Sequence, residues 1–77
     1  MTKAIVLINT DSGSERDTIS RVKRVPNVIE AHVVYGGYDI IAMVEAETTA
    51  KVKETVTENL RILENIRFTL TMMVVGS

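Results

Sequence analysis

With 77 residues, one proline and no internal repeat, the sequence predicts a single domain over residues 1–77. Nine basic and ten acidic residues give a formal net charge of -1, which provides no electrostatic basis for direct nucleic-acid binding. Because the chain has no cysteine, disulfides, thiolate zinc sites, iron–sulfur clusters and cysteine nucleophiles are excluded.

The first part of the chain predicts a strand, a helix and a second strand. Residues 4–8 form a continuous apolar, β-branched run, which is typical of a strand buried on both faces. This run is too short for a signal-peptide core or a membrane span, so we expect a cytoplasmic protein without membrane contact. Ser14 is the predicted N-cap of a helix over about 15–23, and the second strand covers 28–35.

The second part predicts a strand, a helix and a last strand. A glycine pair at 36–37 is a hairpin signal, and residues 40–46 continue as the third strand. Thr48 or Thr49 caps the second helix, and the last strand covers about 66–75. The apolar residues of the second helix recur at spacings of four, four and three, and they are Val52, Val56, Leu60 and Leu63.

The β-α-β-β-α-β order predicts an α+β, ferredoxin-like fold, with both helices on one face of a four-stranded antiparallel sheet. In the last strand the all-apolar row is expected to lie under the helices, and it consists of Ile66, Phe68, Leu70, Met72 and Val74. The opposite sheet face is then predicted to carry Thr69, Thr71, Met73, Val75, Ile41, Met43, Val34 and His32. That face is too apolar to remain in water, so we expect a second subunit to cover it and form a dimeric α/β barrel.

The turn Gly36-Gly37-Tyr38-Asp39 has two interpretations. In the first, the glycines permit a tight hairpin and Asp39 accepts hydrogen bonds from nearby backbone amides. In the second, exposed amides hold a ligand carboxylate, Asp39 accepts an ammonium group, and Tyr35 and Tyr38 form the walls of the pocket. The spacing of the residues alone favours the first interpretation.

Other chemistry-bearing residues are sparse. Glu30 and His32 lie two apart on one strand face, but this single histidine cannot complete a metal site, and we predict neither metal nor cofactor. Thr69 and Thr71 are good strand residues that also offer hydrogen bonds to a ligand. No acid–base constellation stands out, so the sequence does not predict an enzyme.

Three segments of the chain are similar to a known family. They are Val-Tyr-Gly-Gly-Tyr-Asp-Ile-Ile at 34–41, Pro-Asn-Val-Ile-Glu-Ala at 26–31, and the closing Thr-Leu-Thr-Met-Met-Val-Val at 69–75. Together they resemble the effector-binding (RAM) domain of Lrp/AsnC transcription regulators. The resemblance implies ferredoxin-like subunits that dimerise through their sheets and assemble into rings such as octamers, with amino acids or related metabolites bound between dimers. It assigns ligand binding to Gly36, Gly37, Tyr38 and Asp39, and places Thr69 and Thr71 near the pocket.

The chain also departs from the family pattern. The predicted elements use the whole chain, so we expect a stand-alone version without the family's N-terminal DNA-binding domain. Such a version would shift its own assembly, co-assemble with full-length paralogues or buffer the effector. Tyr35 stands where many relatives carry Thr or Ser, and Asn65 replaces a common glycine. Two other functions are compatible with the sequence. One is an enzyme with a pocket on the sheet face that recruits His32, Glu30 or Arg67, and the other is a purely structural partner of a paralogue's ring.

Overall fold

The computed structural model describes residues 1–76 and has the predicted order of elements. The elements are β1 (Thr2–Thr10), α1 (Glu15–Val22), β2 (Val28–Val33), β3 (Ile40–Ala46), α2 (Thr49–Glu54, continued by a π-helical stretch, Thr55–Leu60) and β4 (Ile66–Met73). All neighbouring strands are antiparallel, in the order β2-β3-β1-β4, which confirms the ferredoxin-like fold. None of the helices within these 76 residues is long and apolar enough to cross a membrane.

The core lies between the helices and one face of the sheet. Every second residue of β1 and β3 is buried there, and cross-strand pairs such as Val6 with Ala42 lie on that face. The helices contribute the buried residues Val22, Val52, Val56 and Leu60. The helical spacing read from the sequence therefore identified the buried side of α2.

Helix α2 begins at one of the two threonines named by the sequence. Thr48 is the N-cap, and its side-chain oxygen accepts a hydrogen bond from the Lys51 amide at 3.1 Å. Ser14 is the N-cap residue of α1, but its side chain makes no capping hydrogen bond, and its hydroxyl donates to the Asp11 carbonyl at 2.6 Å. The predicted N-cap positions are thus confirmed for both helices, and a side-chain cap is present only in α2.

Replacing Thr48 by alanine removes this cap. We expect Thr48→Ala to lower the free energy of unfolding by about 1 kcal/mol, since one helix amide loses its acceptor. Thr49→Ala is the matched control, because Thr49 is exposed and its neighbour provides the cap. Urea unfolding of both variants checks this, and equal losses would contradict it.

The predicted facing of β4 is wrong beyond its first residue. Leu70 lies opposite Leu7 and remains exposed, whereas Thr71 lies opposite the fully buried Val6 on the helix side. Phe68 and Met72 share the side of Leu70 and are likewise exposed, as is Val74 after the end of β4. The helix side of β4 instead carries Thr69, Thr71 and Met73.

A β-bulge explains this reversal. Asn9 pairs with Phe68 and Thr10 pairs with Ile66, so β4 has one more residue than β1 at this point. Because side chains alternate between faces, one extra residue reverses the alternation. Ile66 therefore packs against the core as predicted, while Phe68 lies on the opposite face.

The sheet face opposite the helices, here called the open face, is apolar at its centre. It consists of Ile5, Leu7, Ile41, Met43, Phe68, Leu70 and Met72. Polar pairs border it, namely Lys3 with Glu45 (3.9 Å) and His32 with Glu30 (2.9 Å). The prediction of this face is thus confirmed for the β2 and β3 residues His32, Ile41 and Met43.

Candidate functional site

The turn between β2 and β3 lies at one end of the sheet. Gly36 has a φ of 125°, which side-chain-bearing residues rarely adopt, so the hairpin requires glycine there. Gly37 is not in this conformation, and a Cβ added at either glycine would meet no atom within 4 Å. Both glycines therefore leave their backbone open to approach from outside.

Asp39 holds the turn against the end of β1. Its amide donates to the Ile8 carbonyl at 2.9 Å, and its carboxylate Oδ2 accepts from the Thr10 amide at 2.8 Å. Its carbonyl accepts from the Val34 amide at 2.9 Å. The side chain thus has the structural contact expected in the hairpin interpretation. A carboxylate can accept several hydrogen bonds, so Asp39 can accept from a ligand as well as from the Thr10 amide.

A cleft of about 440 Å³ opens beside this turn. It is lined by Asn9, Thr10, Gly37, Asp39, Arg67 and Phe68. Of the residues predicted for ligand binding, Gly37 and Asp39 line the cleft. The β1 and β4 residues were not assigned to this pocket from sequence, because only the pairing of β1 with β3 on one side and with β4 on the other brings them to the turn.

The two tyrosines of the turn differ in position. The Tyr38 ring stacks on Phe68, with ring centroids 6.5 Å apart and planes at 25°. Tyr35 is fully exposed and does not line the cleft. Tyr38 consequently supports a wall of the cleft through Phe68, while Tyr35 contributes no wall within one subunit.

The two predicted threonines of β4 lie elsewhere. Thr71 is half-buried on the helix side, opposite Val6. Thr69 lines a neighbouring hollow of about 270 Å³, which it shares with Arg61, Ile66, Arg67 and Phe68. Neither threonine lines the cleft beside Asp39.

The cleft carries both signs of charge. Asp39 contributes a carboxylate and Arg67 a guanidinium. The Nε atom of Arg67 lies 3.8 Å from Oδ1 of Asp11, and both side chains are more than half exposed. Such an exposed ion pair is weak, because water screens it.

The residues named for the enzyme alternative do not meet within one subunit. His32 and Glu30 lie on β2, whereas Arg67 lies on β4, at the opposite edge of the sheet. Three strand spacings separate the two edges, which is roughly 14 Å. In residues 1–76, no three His, Cys, Asp or Glu side chains are placed to hold a metal ion.

The fold and the cleft define a ferredoxin-like α+β domain with a polar site at one end of its sheet. The sequence model of the family described as Lrp/AsnC ligand binding domain matches residues 3–77. The chain belongs to this family.

Relatives of the chain include transcription regulators. An uncharacterized HTH-type transcriptional regulator of Pyrococcus furiosus is 33% identical over 94% of this chain and 50% of its own length. The chain thus spans about half the length of the curated relatives it matches. The crystal structure of FFRP-DM1 has a TM-score of 0.91 and 37% identity, covering 97% of this chain and all of that one.

A more distant structure carries a bound ligand. It is the feast or famine regulatory protein of M. tuberculosis complexed with L-methionine. The M. tuberculosis protein is 20% identical to this chain, with a TM-score of 0.79. The match covers all of this chain and 52% of the M. tuberculosis chain. At that identity the likeness extends to the fold alone.

Proposed function

We propose that this domain binds an amino acid or a related small metabolite in the cleft beside Asp39, and that binding regulates its oligomeric assembly. The observation that carries the proposal is the convergence of the glycine turn and the Asp39 carboxylate on one cleft, in a ligand-binding family. The L-methionine complex of the M. tuberculosis protein supports the choice of ligand class.

The cleft has complementary groups for a zwitterion. In the proposed pose Asp39 accepts hydrogen bonds from the ligand ammonium, and the ligand approaches the open backbone of Gly37, which follows Gly36 in the turn. Phe68, stacked on Tyr38, offers an apolar surface to the ligand side chain. The predicted roles of Tyr35, Thr69 and Thr71 are retained only for a site that a second subunit completes.

The open face is the proposed dimer interface. Its centre is apolar and its border is polar, which is the usual anatomy of a protein–protein interface. Half-exposed Phe68 and 40%-exposed Leu70 lie on this face in the isolated subunit. A two-fold related copy buries both, and further assembly of dimers gives a ring such as an octamer.

Phe68 connects the cleft with the interface. It lines the cleft and also lies on the open face, so a ligand that contacts it also contacts a residue of the proposed interface. A ligand shifts an assembly equilibrium only through different affinities for the two states. Contact with Phe68 provides that difference, because this ring is half-exposed in the isolated subunit and would be buried in the proposed dimer.

The biological partners in this proposal are transcription regulators. The curated relatives are HTH-type regulators about twice as long as the matched segment. A full-length paralogue that carries the same open face can pair with this domain. Ligand binding then controls the composition of the mixed oligomer.

Calorimetry against each of the twenty amino acids tests the binding proposal. The variant Asp39→Asn removes the charge but keeps an oxygen that can accept from the Thr10 amide. We expect binding of the preferred amino acid to weaken about tenfold or more, because a charge-assisted hydrogen bond to the ammonium is lost. The free energy of unfolding should fall by only about 1 kcal/mol.

Glu47→Gln is the matched control, since it neutralises an exposed carboxylate just after β3, away from the cleft. It should bind like the wild type. No heat with any amino acid, or equal weakening in both variants, would refute the site.

A further inference from the structure

Arg67 owes its position to the β-bulge. Asn9 and Thr10 are consecutive on β1, but they pair with Phe68 and Ile66 on β4. Arg67, which lies between these two, therefore has no partner on β1. Bulges often re-aim a side chain beside a functional site. Here the bulged residue lines the cleft together with Asp39 and Gly37.

The contact of Arg67 with Asp11 is loose. The two charged groups approach to 3.8 Å, beyond a hydrogen bond, and both are largely exposed. Asp11 itself is fixed through its backbone, whose amide donates to the Asn65 carbonyl at 2.9 Å. Asn65 has a φ of 72°, a left-handed conformation that asparagine tolerates and glycine adopts freely. The backbone is thus held in place at Asp11 while the side chains of Asp11 and Arg67 touch only loosely, so a better acceptor can replace the Asp11 carboxylate.

We propose that Arg67 binds the ligand's α-carboxylate, and that Asp11 occupies the guanidinium until the ligand arrives. This rests on the proposed function, in which the ligand lies in the cleft with its ammonium at Asp39. A guanidinium matches a carboxylate with two parallel hydrogen bonds, which a neutral amide cannot reproduce. The site thus selects ligands with both a free amino group and a free carboxylate.

Two substitutions act in opposite directions under this proposal. Arg67→Gln removes the cation, so it abolishes the preference for an acid over its amide. Asp11→Asn removes the competing carboxylate, so it tightens binding of the acid. A merely structural role of the ion pair would instead make both variants bind more weakly.

The test measures the affinity of each of the twenty amino acids and of its carboxamide by calorimetry. The wild type should bind the acid about tenfold more tightly than the amide. This is the lower end of the range for a charge-assisted hydrogen bond, because Arg67 is exposed to solvent. In Arg67→Gln the acid and the amide should bind alike. Arg24→Gln, which removes an exposed arginine away from the cleft, should retain the tenfold preference.

The outcomes separate the two proposals. If the wild type binds neither acids nor amides, the proposed function fails and Arg67 has no ligand to select. If Arg67→Gln keeps the acid preference while Asp39→Asn loses binding, the cleft is the site and the role of Arg67 is wrong. Weaker binding of the acid in Asp11→Asn would overturn the competition between Asp11 and the ligand.

Discussion

With the open face as the proposed dimer interface, a subunit carrying Leu70→Asp is expected to remain monomeric at concentrations at which we expect the wild type to dimerise. Leu70 lies on the open face, opposite Leu7, and two-fold pairing of that face brings the new carboxylate into an apolar contact. Removing an unpaired carboxylate from water costs several kcal/mol. The dissociation constant of the dimer should therefore rise by roughly a hundredfold or more.

Sedimentation equilibrium of the two proteins measures this effect. Thr57→Asp is the control, because it adds the same charge on the exposed side of the helical layer. It should sediment as the wild type does. A Leu70→Asp protein that still dimerises with wild-type affinity would show that the open face is not the interface.

The second large effect is expected in the core. Leu60 is fully buried at the end of the π-helical stretch, and Leu60→Ala leaves a cavity between the helix and the sheet. Such truncations cost about 2–5 kcal/mol. A domain of this size has a free energy of unfolding of only about 4–12 kcal/mol. The variant should therefore lose a large part of its stability in urea unfolding.

Ile62→Ala provides the matched control two residues further along. Ile62 is 71% exposed, so its truncation should change the free energy of unfolding by about 0.5 kcal/mol or less. Both variants are compared at one protein concentration, because assembly contributes to apparent stability. Equal losses would mean that Leu60 is less tightly packed than its burial indicates.

In the proposed function, Phe68 gives the domain a direct route from binding to assembly. The ring lies on the open face and in the cleft at once, so no long chain of contacts is needed to couple them. The same dual position means that a substitution of Phe68 changes both properties. The variants Leu70→Asp and Asp39→Asn separate them, because each acts on only one side.

Local sequence patterns were sufficient for the order of elements. The apolar run of β1, the spacing of Val52, Val56 and Leu60, and the glycine pair of the hairpin each depend on neighbours within one segment. Those patterns predict elements because burial and backbone conformation repeat with the period of a helix or strand. The similarity to the Lrp/AsnC ligand-binding domain was likewise contained in short segments, and the match over residues 3–77 bears it out.

The facing of β4 and the lining of the cleft were decided by tertiary structure. In residues 66–74 one row is apolar throughout, whereas the other carries Arg67, Thr69, Thr71 and Met73, so hydrophobicity alone favoured the wrong row for the side that the helices cover. The bulge between Asn9 and Thr10 decided it, by reversing the alternation after Ile66. That bulge depends on pairing between strands more than fifty residues apart, which no local pattern contains. It placed Phe68 on the open face and Arg67 in the cleft with Asp39, because an extra residue in one strand re-aims every side chain beyond it.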